Sequence, residues 1–247
     1  MDEVESTYQA LTHGNGYSVL ASLLTPDMAA ATRQLLLDHA GAADHDDDGI
    51  LRLPNLLSLD DVFSELVTHP RLLAVAHRLV GSDAKLAAVS GRILLPGCKL
   101  GGLHVDYPYW AMDPGMPVEP AMMLQVIWMM EPFTAANGGT WVAPGSQGWA
   151  ERPRESRFRE QAIQATGNAG DAVVSHGLLW HRTAVNRTGS PRVALLINYA
   201  QLTIQPMTPM GPFTREYQDR ASPALRMLLD LDHGKSLRRR LSVETNA

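Results

Sequence analysis

Ala121-Met122-Met123-Leu124-Gln125-Val126-Ile127-Trp128-Met129-Met130 holds the longest apolar run in the chain. It is far shorter than the roughly 20 residues a helix needs to cross a bilayer, so it reads as a buried strand. Working outward, the same texture recurs at 86–95, 103–110, 140–143, 172–175 and 192–200. Each is a short apolar run bounded by Gly or Pro. Many short strands with regular turn signals point to a β-sandwich or barrel.

Upstream the texture is helical. Thr25-Pro26-Asp27 places a capping hydroxyl before a proline at the first helical position, and the following helix runs from Ala29 to Ala40, stopping at Gly41. Ser58 with Asp60 and Asp61 opens a second helix. Pro70 opens a third, with Leu72, Leu73, Ala76, Leu79 and Val80 on one face and Gly81 just past its end. Asp44-His45-Asp46-Asp47-Asp48-Gly49 lacks the ligand positions of a calcium loop and reads as a solvated surface loop. Helical character returns at 223–231, before a polar tail containing Arg238, Arg239 and Arg240 that reads as a solvated terminus.

Bulk properties narrow the partners. The net charge is −5 and the pI is near 6.0, so no basic field is available for a nucleic-acid backbone or an anionic membrane. Cys98 is the only cysteine among 247 residues, which rules out an intrachain disulfide and fits a reducing compartment. The acidic, polar start MDEVESTYQA has no signal-peptide pattern. The expectation is a cytoplasmic protein acting on a small molecule.

The chemistry-bearing signal begins with Leu103-His104-Val105-Asp106. In a strand, positions i and i+2 share a face, so His104 and Asp106 project together. His181 in Leu179-Trp180-His181-Arg182 supplies a third ligand of the right type. Two histidines and a carboxylate on one face of an octahedral metal leave open positions for a cosubstrate and O₂. Spacing alone leaves His176 as a rival to His181. Arg192 opens the apolar run Val193-Ala194-Leu195-Leu196-Ile197, and a guanidinium aimed into a pocket there requires an anion, either a dicarboxylate ligand or an internal salt-bridge partner.

Several segments, in order, resemble the phytanoyl-CoA dioxygenase family. Gly102-Leu103-His104-Val105-Asp106 resembles its HxD motif. Asn137-Gly138-Gly139-Thr140-Trp141-Val142-Ala143-Pro144-Gly145-Ser146-Gln147 resembles its NG…PGSH segment. Gly170-Asp171, His181, Asn186 and Pro191-Arg192 resemble its GD…H…N…R segment, and Asn15-Gly16-Tyr17 with Thr25-Pro26 fits its opening. The resemblance implies a mainly β fold with flanking helices, the double-stranded β-helix or cupin-like jelly roll. It implies one domain over 1–247, with a helical part at about 1–82, a jelly-roll core at about 83–205 and a helical end at about 206–247.

The resemblance further implies a non-haem Fe(II)- and 2-oxoglutarate-dependent dioxygenase, using O₂ and releasing succinate and CO₂. His104, Asp106 and His181 become the iron ligands. Arg192 pairs with the distal carboxylate of 2-oxoglutarate, and Thr140 and Gln125 are further candidates for cosubstrate contact. A cross-strand polar contact is the other reading of Gln125, and a structural turn is the reading of Asn186. Gln147 stands where the family often has histidine, away from the metal. Retention of Asp106 disfavours halogenation, for which relatives replace the carboxylate by a small residue.

Tyr107, Tyr109, Trp110 and Trp141 are the candidate substrate contacts, and 107–120, rich in Pro, is a candidate lid. The nearby methionines serve equally as core. The expected reaction is hydroxylation of a C–H bond in a small metabolite or natural-product intermediate. Another metal-dependent cupin-type enzyme, or a non-catalytic jelly-roll binding module, is the alternative.

Overall fold

Residues 192–200 form a strand whose odd and even positions have different fates. Val193, Leu195, Ile197 and Tyr199 enter the main apolar core with Leu36, Phe63 and Leu72 from the helices. Arg192, Leu196 and Asn198 turn the other way and line cavities. Because side chains alternate with period two, a slip of one residue would drive Arg192 and Asn198 into the helix layer. Burial of each large apolar side chain contributes about 1.5–3 kcal/mol, so the register is firmly held.

A computed structural model describes residues 2–45, 47–106, 108–112 and 119–232. The chain begins with α1 (Glu3–Thr12), β1 (Tyr17–Leu20), α2 (Pro26–Asp38), β2 (Asp44–His45), β3 (Ile50–Leu53), α3 (Asp61–Val67) and α4 (Pro70–Val80). It continues with β4 (Lys85–Leu94), β5 (Met123–Met129), β6 (Trp141–Val142), α5 (Glu155–Gln161), β7 (Ile163–Gln164), β8 (Ala172–His176), β9 (His181–Arg182) and β10 (Arg192–Ala200). Helices α6 (Arg215–Arg220) and α7 (Pro223–Leu228) follow.

One sheet has seven strands in the order β1-β8-β5-β10-β4-β3-β2, and the other has three in the order β7-β6-β9. Every strand pairing is antiparallel. All seven residues of β5 are buried, as its apolar run requires. Where β10 meets β4, the register shifts between Asn198 and Tyr199, which pair with Ala88 and Leu86. The skipped Ala87 marks a β-bulge beside Asn198, a device that re-aims a side chain.

The helices obey their capping signals. Thr25 Oγ1 accepts from the Met28 amide at 3.2 Å, with Pro26 at the first position. Helix α4 starts at Pro70 and ends at Gly81, whose φ of +105° is costly for a side-chain-bearing residue. Its buried face is Leu72, Val75, Ala76, Leu79 and Val80; Val75 replaces the expected Leu73, which is only partly covered. No helix among the described residues is long and apolar enough to cross a membrane.

Four local expectations need correction. The predicted strand at 103–110 is reduced to a single bridge at His104, and Tyr109–Ala111 is a 3₁₀ turn, because Pro108 breaks the extension. The acidic stretch after Ala43 is partly structured: Asp44 and His45 pair with Arg52 and Leu51, and the Asp48 carboxylate accepts from the Ile50 amide and from Arg52. The helix opening expected at Ser58, Asp60 and Asp61 narrows to Asp60, which caps α3 by accepting from the Val62 amide at 2.8 Å. The stretch before residue 82 contains α1 and three strands besides the expected helices. Tyr107, 113–118 and the arginine-rich tail lie outside the described residues.

Candidate metal centre

His104 and His181 reach the site from the smaller sheet. Their backbones pair in an antiparallel bridge, with N–H···O distances of 3.1 and 3.0 Å. Asp106 is anchored two residues on, its amide donating to the Gly177 carbonyl at 2.8 Å. The bridge therefore performs the work expected of a longer strand, and one ligand atom from each of the three side chains lies within 4.8 Å of the others.

Each imidazole is oriented in the same way. His104 Nδ1 donates to the Gly102 carbonyl at 2.8 Å, and His181 Nδ1 donates to the Leu179 carbonyl at 2.9 Å. Both Nε2 lone pairs are thereby left for the centre. The rings lie 4.2 Å apart between centroids. His181 and Asp106 are buried, whereas His104 is exposed at the mouth. Loss of hydration holds His181 below the usual imidazole pKa. The proximity of His181, then loss of hydration, pushes His104 down to about 4. Both rings are thus neutral at pH 7, as metal ligation requires.

Asp106 is held at both oxygens. Gln125 Nε2 donates to Oδ1 and Asn198 Nδ2 donates to Oδ2, each at 3.2 Å. Burial raises its pKa to about 6, partly opposed by His104 and the Asn198 hydrogen bond. Gln125 Nε2 also lies 3.3 Å from His181 Nε2, and Ser175 Oγ donates to Gln125 Oε1 at 3.4 Å across the β5–β8 pairing. Gln125 therefore makes the cross-strand contact and reaches the triad as well.

Two cavities meet at the triad. The larger, about 650 Å³, contains His104 and Asp106 and is walled by Leu56, Leu57, Met207 and Met210. The second, about 510 Å³, contains His104 and His181 and extends to Thr140 and Arg192. Arg192 is buried. Its Nη2 donates to the Gly138 carbonyl at 2.8 Å and its guanidinium lies 4.2 Å from the Phe133 ring centroid, but Nε has no hydrogen-bond partner among the described residues. Glu131, whose charge acts on Arg192, bonds Arg33 and the Val193 amide instead. Desolvation pushes the Arg192 pKa down to about 10. A buried cation without a paired carboxylate is costly, so the Arg192 guanidinium leaves the second cavity able to accept an anion. A nitrogen–nitrogen–oxygen donor set beside such a cavity fits Fe(II) with a chelating dicarboxylate.

Residues 12–194 match the model of the phytanoyl-CoA dioxygenase family, PhyH. The chain belongs to this family. Among its relatives, "Dioxygenase af480" of Aspergillus fumigatus is 29% identical over 186 residues, covering 74% of this chain and 59% of that protein. "Dioxygenase andF" of Emericella variicolor is 25% identical, covering 67% and 59%. The chain thus spans 59% of the length of each of these two fungal relatives. "Ectoine dioxygenase" of Nocardia farcinica is 27% identical, covering 85% and 83%. The crystal structure of SnoN, a non-haem α-ketoglutarate-dependent epimerase from nogalamycin biosynthesis, superposes with a TM-score of 0.66 at 17% identity, covering 83% of this chain and 87% of SnoN. That likeness establishes the cupin-like jelly-roll fold for this PhyH chain.

The other sequence candidates are dispersed. Tyr109 is buried in a satellite core, its hydroxyl accepting from the Met122 amide; Trp110 is exposed; Trp141 packs on the same satellite core. None of them lines either cavity. His176 is buried beside Tyr109, its Nδ1 accepting from the Leu178 amide, and it faces a separate cavity with Tyr8 and Glu119. Asn186 is structural, its Nδ2 joining the Leu94 and Ser190 carbonyls. Asn198 and Arg92 escaped the sequence reading. Counting in twos from Arg192 would have found Asn198, the one polar residue on that face of an apolar strand.

Proposed function

We propose that this protein is an Fe(II)- and 2-oxoglutarate-dependent dioxygenase that hydroxylates a C–H bond of a small metabolite or natural-product intermediate. The observation that carries the reading is the convergence of His104, Asp106 and His181 at the junction of two cavities, one of which ends at the carboxylate-free Arg192. In this reading the triad binds the iron. Arg192 holds the distal carboxylate of 2-oxoglutarate, and Thr140 lines the same cavity. Gln125 and Asn198 orient Asp106 so that its charge faces the metal.

Bound iron, with 2-oxoglutarate and O₂, supplies the oxidising power for C–H attack while the cosubstrate leaves as succinate and CO₂. The chain's own part is placement. The two Nδ1–H bonds fix the imidazole planes, and the apolar wall of the larger cavity keeps water from the reacting carbon. The names of the dioxygenase relatives, the ectoine dioxygenase among them, support a small-molecule substrate in that cavity. A substrate screen following succinate release coupled to O₂ uptake tests the reading. The expected result is iron-dependent succinate formation stimulated by a small organic compound; a metal-loaded enzyme that transforms substrate without consuming 2-oxoglutarate would point to a different cupin-type enzyme.

A further inference from the structure

Arg92 is a second cation with no paired carboxylate among the described residues. It lies on β4, directly opposite Arg52 of β3 in the antiparallel register. Like charges placed opposite each other destabilise a strand pair. The charge of Arg52 is answered within the chain, since Asp48 holds it at 2.5 Å. Arg92 has no such answer. Its Nη1 donates to Ser90 Oγ at 2.9 Å and to the Gly91 carbonyl at 3.2 Å, and among the described residues no carboxylate lies within ion-pair distance. Arg92 is half-buried, and desolvation with the Arg52 charge pushes its pKa down to about 10.

Its location gives this charge a purpose. Arg92 pairs with Ala194, Ser90 with Leu196 and Ala88 with Asn198 across β4 and β10. Arg92 thus stands on the same face of the sheet as Asn198, four residue pairs along from it, and Asn198 holds Asp106. Arg92 lines both cavities, as do His104 and Gln125. Val89, Leu56, Leu57 and Leu196 give the larger cavity an apolar wall, while Arg52, Asp44, Asn55 and Ser90 add polar groups to its lining. Arg52 lines the same cavity but is already paired with Asp48, so Arg92 is the guanidinium there with no carboxylate partner among the described residues. Such a cation beside an apolar wall selects a ligand with an anionic group and an adjoining hydrocarbon part.

We propose that Arg92 binds a carboxylate of the substrate, so that this enzyme acts on an organic acid whose apolar part fills the larger cavity. The inference rests on the Fe(II)/2-oxoglutarate reading of the same site and names its substrate class. Arg192 lines only the second cavity, where the cosubstrate is placed, whereas Arg92 also lines the larger one and so can meet a second anion there.

The test uses isothermal titration of the anaerobic, Fe(II)-loaded full chain, with and without 2-oxoglutarate. The probes are benzoate, cinnamate and indole-3-acetate, each against its own amide. Wild type is expected to bind at least one acid about tenfold or more tightly than its amide, the scale of one charge-assisted pair. Arg92→Met should erase that preference, and Arg92→Lys should restore part of it, with 2-oxoglutarate affinity unchanged in both. Circular dichroism confirms that each variant is folded, and the lysine variant keeps the test readable should the methionine variant fail to fold. Equal binding of acids and amides by wild type, or an acid preference that survives in Arg92→Met, overturns the proposal. So does loss of 2-oxoglutarate binding in Arg92→Met, which would assign Arg92 to the cosubstrate. Failure of wild type to bind 2-oxoglutarate counts against the function proposed above, and the acid–amide comparison on the iron-loaded protein still decides the role of Arg92.

Discussion

His104 and His181 are held together by their own backbones, each amide donating to the other's carbonyl at 3.1 and 3.0 Å. The backbone frame of the centre is therefore held by hydrogen bonds that involve neither imidazole. Replacing His104 by alanine should abolish Fe(II) binding while leaving the metal-free melting temperature within a few degrees of wild type, since that side chain is exposed. Iron content after anaerobic reconstitution, measured beside a thermal melt, checks both halves.

Asp106 is presented by two amides on neighbouring strands, Gln125 and Asn198, paired directly across β5 and β10. Such outer partners typically change metal affinity by about 10- to 100-fold when removed. Asn198→Ala should weaken Fe(II) or Mn(II) binding on that scale, measured by competition with a calibrated chelator. Asn198→Asp should weaken it too, because a second buried charge beside Asp106 favours protonation.

The pH dependence has a definite sign. Burial raises the Asp106 carboxyl to about 6 from the usual 3.8, so the folded, metal-free protein holds a proton there that the unfolded chain releases. That contribution to stability is present below about 4 and is lost as pH rises to about 6. Metal binds the ionised form, so the rise in melting temperature caused by Mn(II) should grow between pH 5 and pH 7, in steps of about half a unit if followed by thermal melts. Asp106→Asn should flatten this dependence.

Arg192 has a buried Nε without a partner and only a carbonyl for Nη2. Arg192→Met should raise the 2-oxoglutarate dissociation constant by about tenfold or more, equivalent to the 1.5–3 kcal/mol of a charged hydrogen bond. Its metal affinity should not change. Titration calorimetry with 2-oxoglutarate, then with Mn(II) alone, separates the two effects.

Asn186 ties the turn before β10 to the end of β4 through the Leu94 and Ser190 carbonyls, and its Oδ1 accepts from Thr188. It is fully buried. Asn186→Ala leaves these groups unsatisfied and should cost about 1–3 kcal/mol in urea unfolding.

The parts of the molecule that follow local rules were legible in the sequence. The period-two patterns of β4, β5 and β10 and the caps at Thr25 and Pro70 depend on near neighbours alone. The triad was legible because His-x-Asp fixes a face within three residues and ordered motifs then selected His181. What stayed hidden depends on register between distant segments. Asn198 and Gln125 meet Asp106 only because β10 and β5 pair as they do, and a bulge lies beside Asn198 on its other side, where β10 meets β4. Arg52 and Arg92 come face to face for the same kind of reason. Tyr109 and Trp141 drew attention by sequence proximity to the motifs, yet Pro108 and the short β6 strand carry them into a satellite core instead.

If His104, Asp106 and His181 bind iron and 2-oxoglutarate binds to that iron, anaerobic titration of 2-oxoglutarate into protein with and without Fe(II) will show it. One equivalent of cosubstrate should bind tightly only when Fe(II) is present, with no such iron-dependent binding in Asp106→Ala. Equal 2-oxoglutarate binding with and without iron, or undiminished iron-dependent binding in Asp106→Ala, would contradict it.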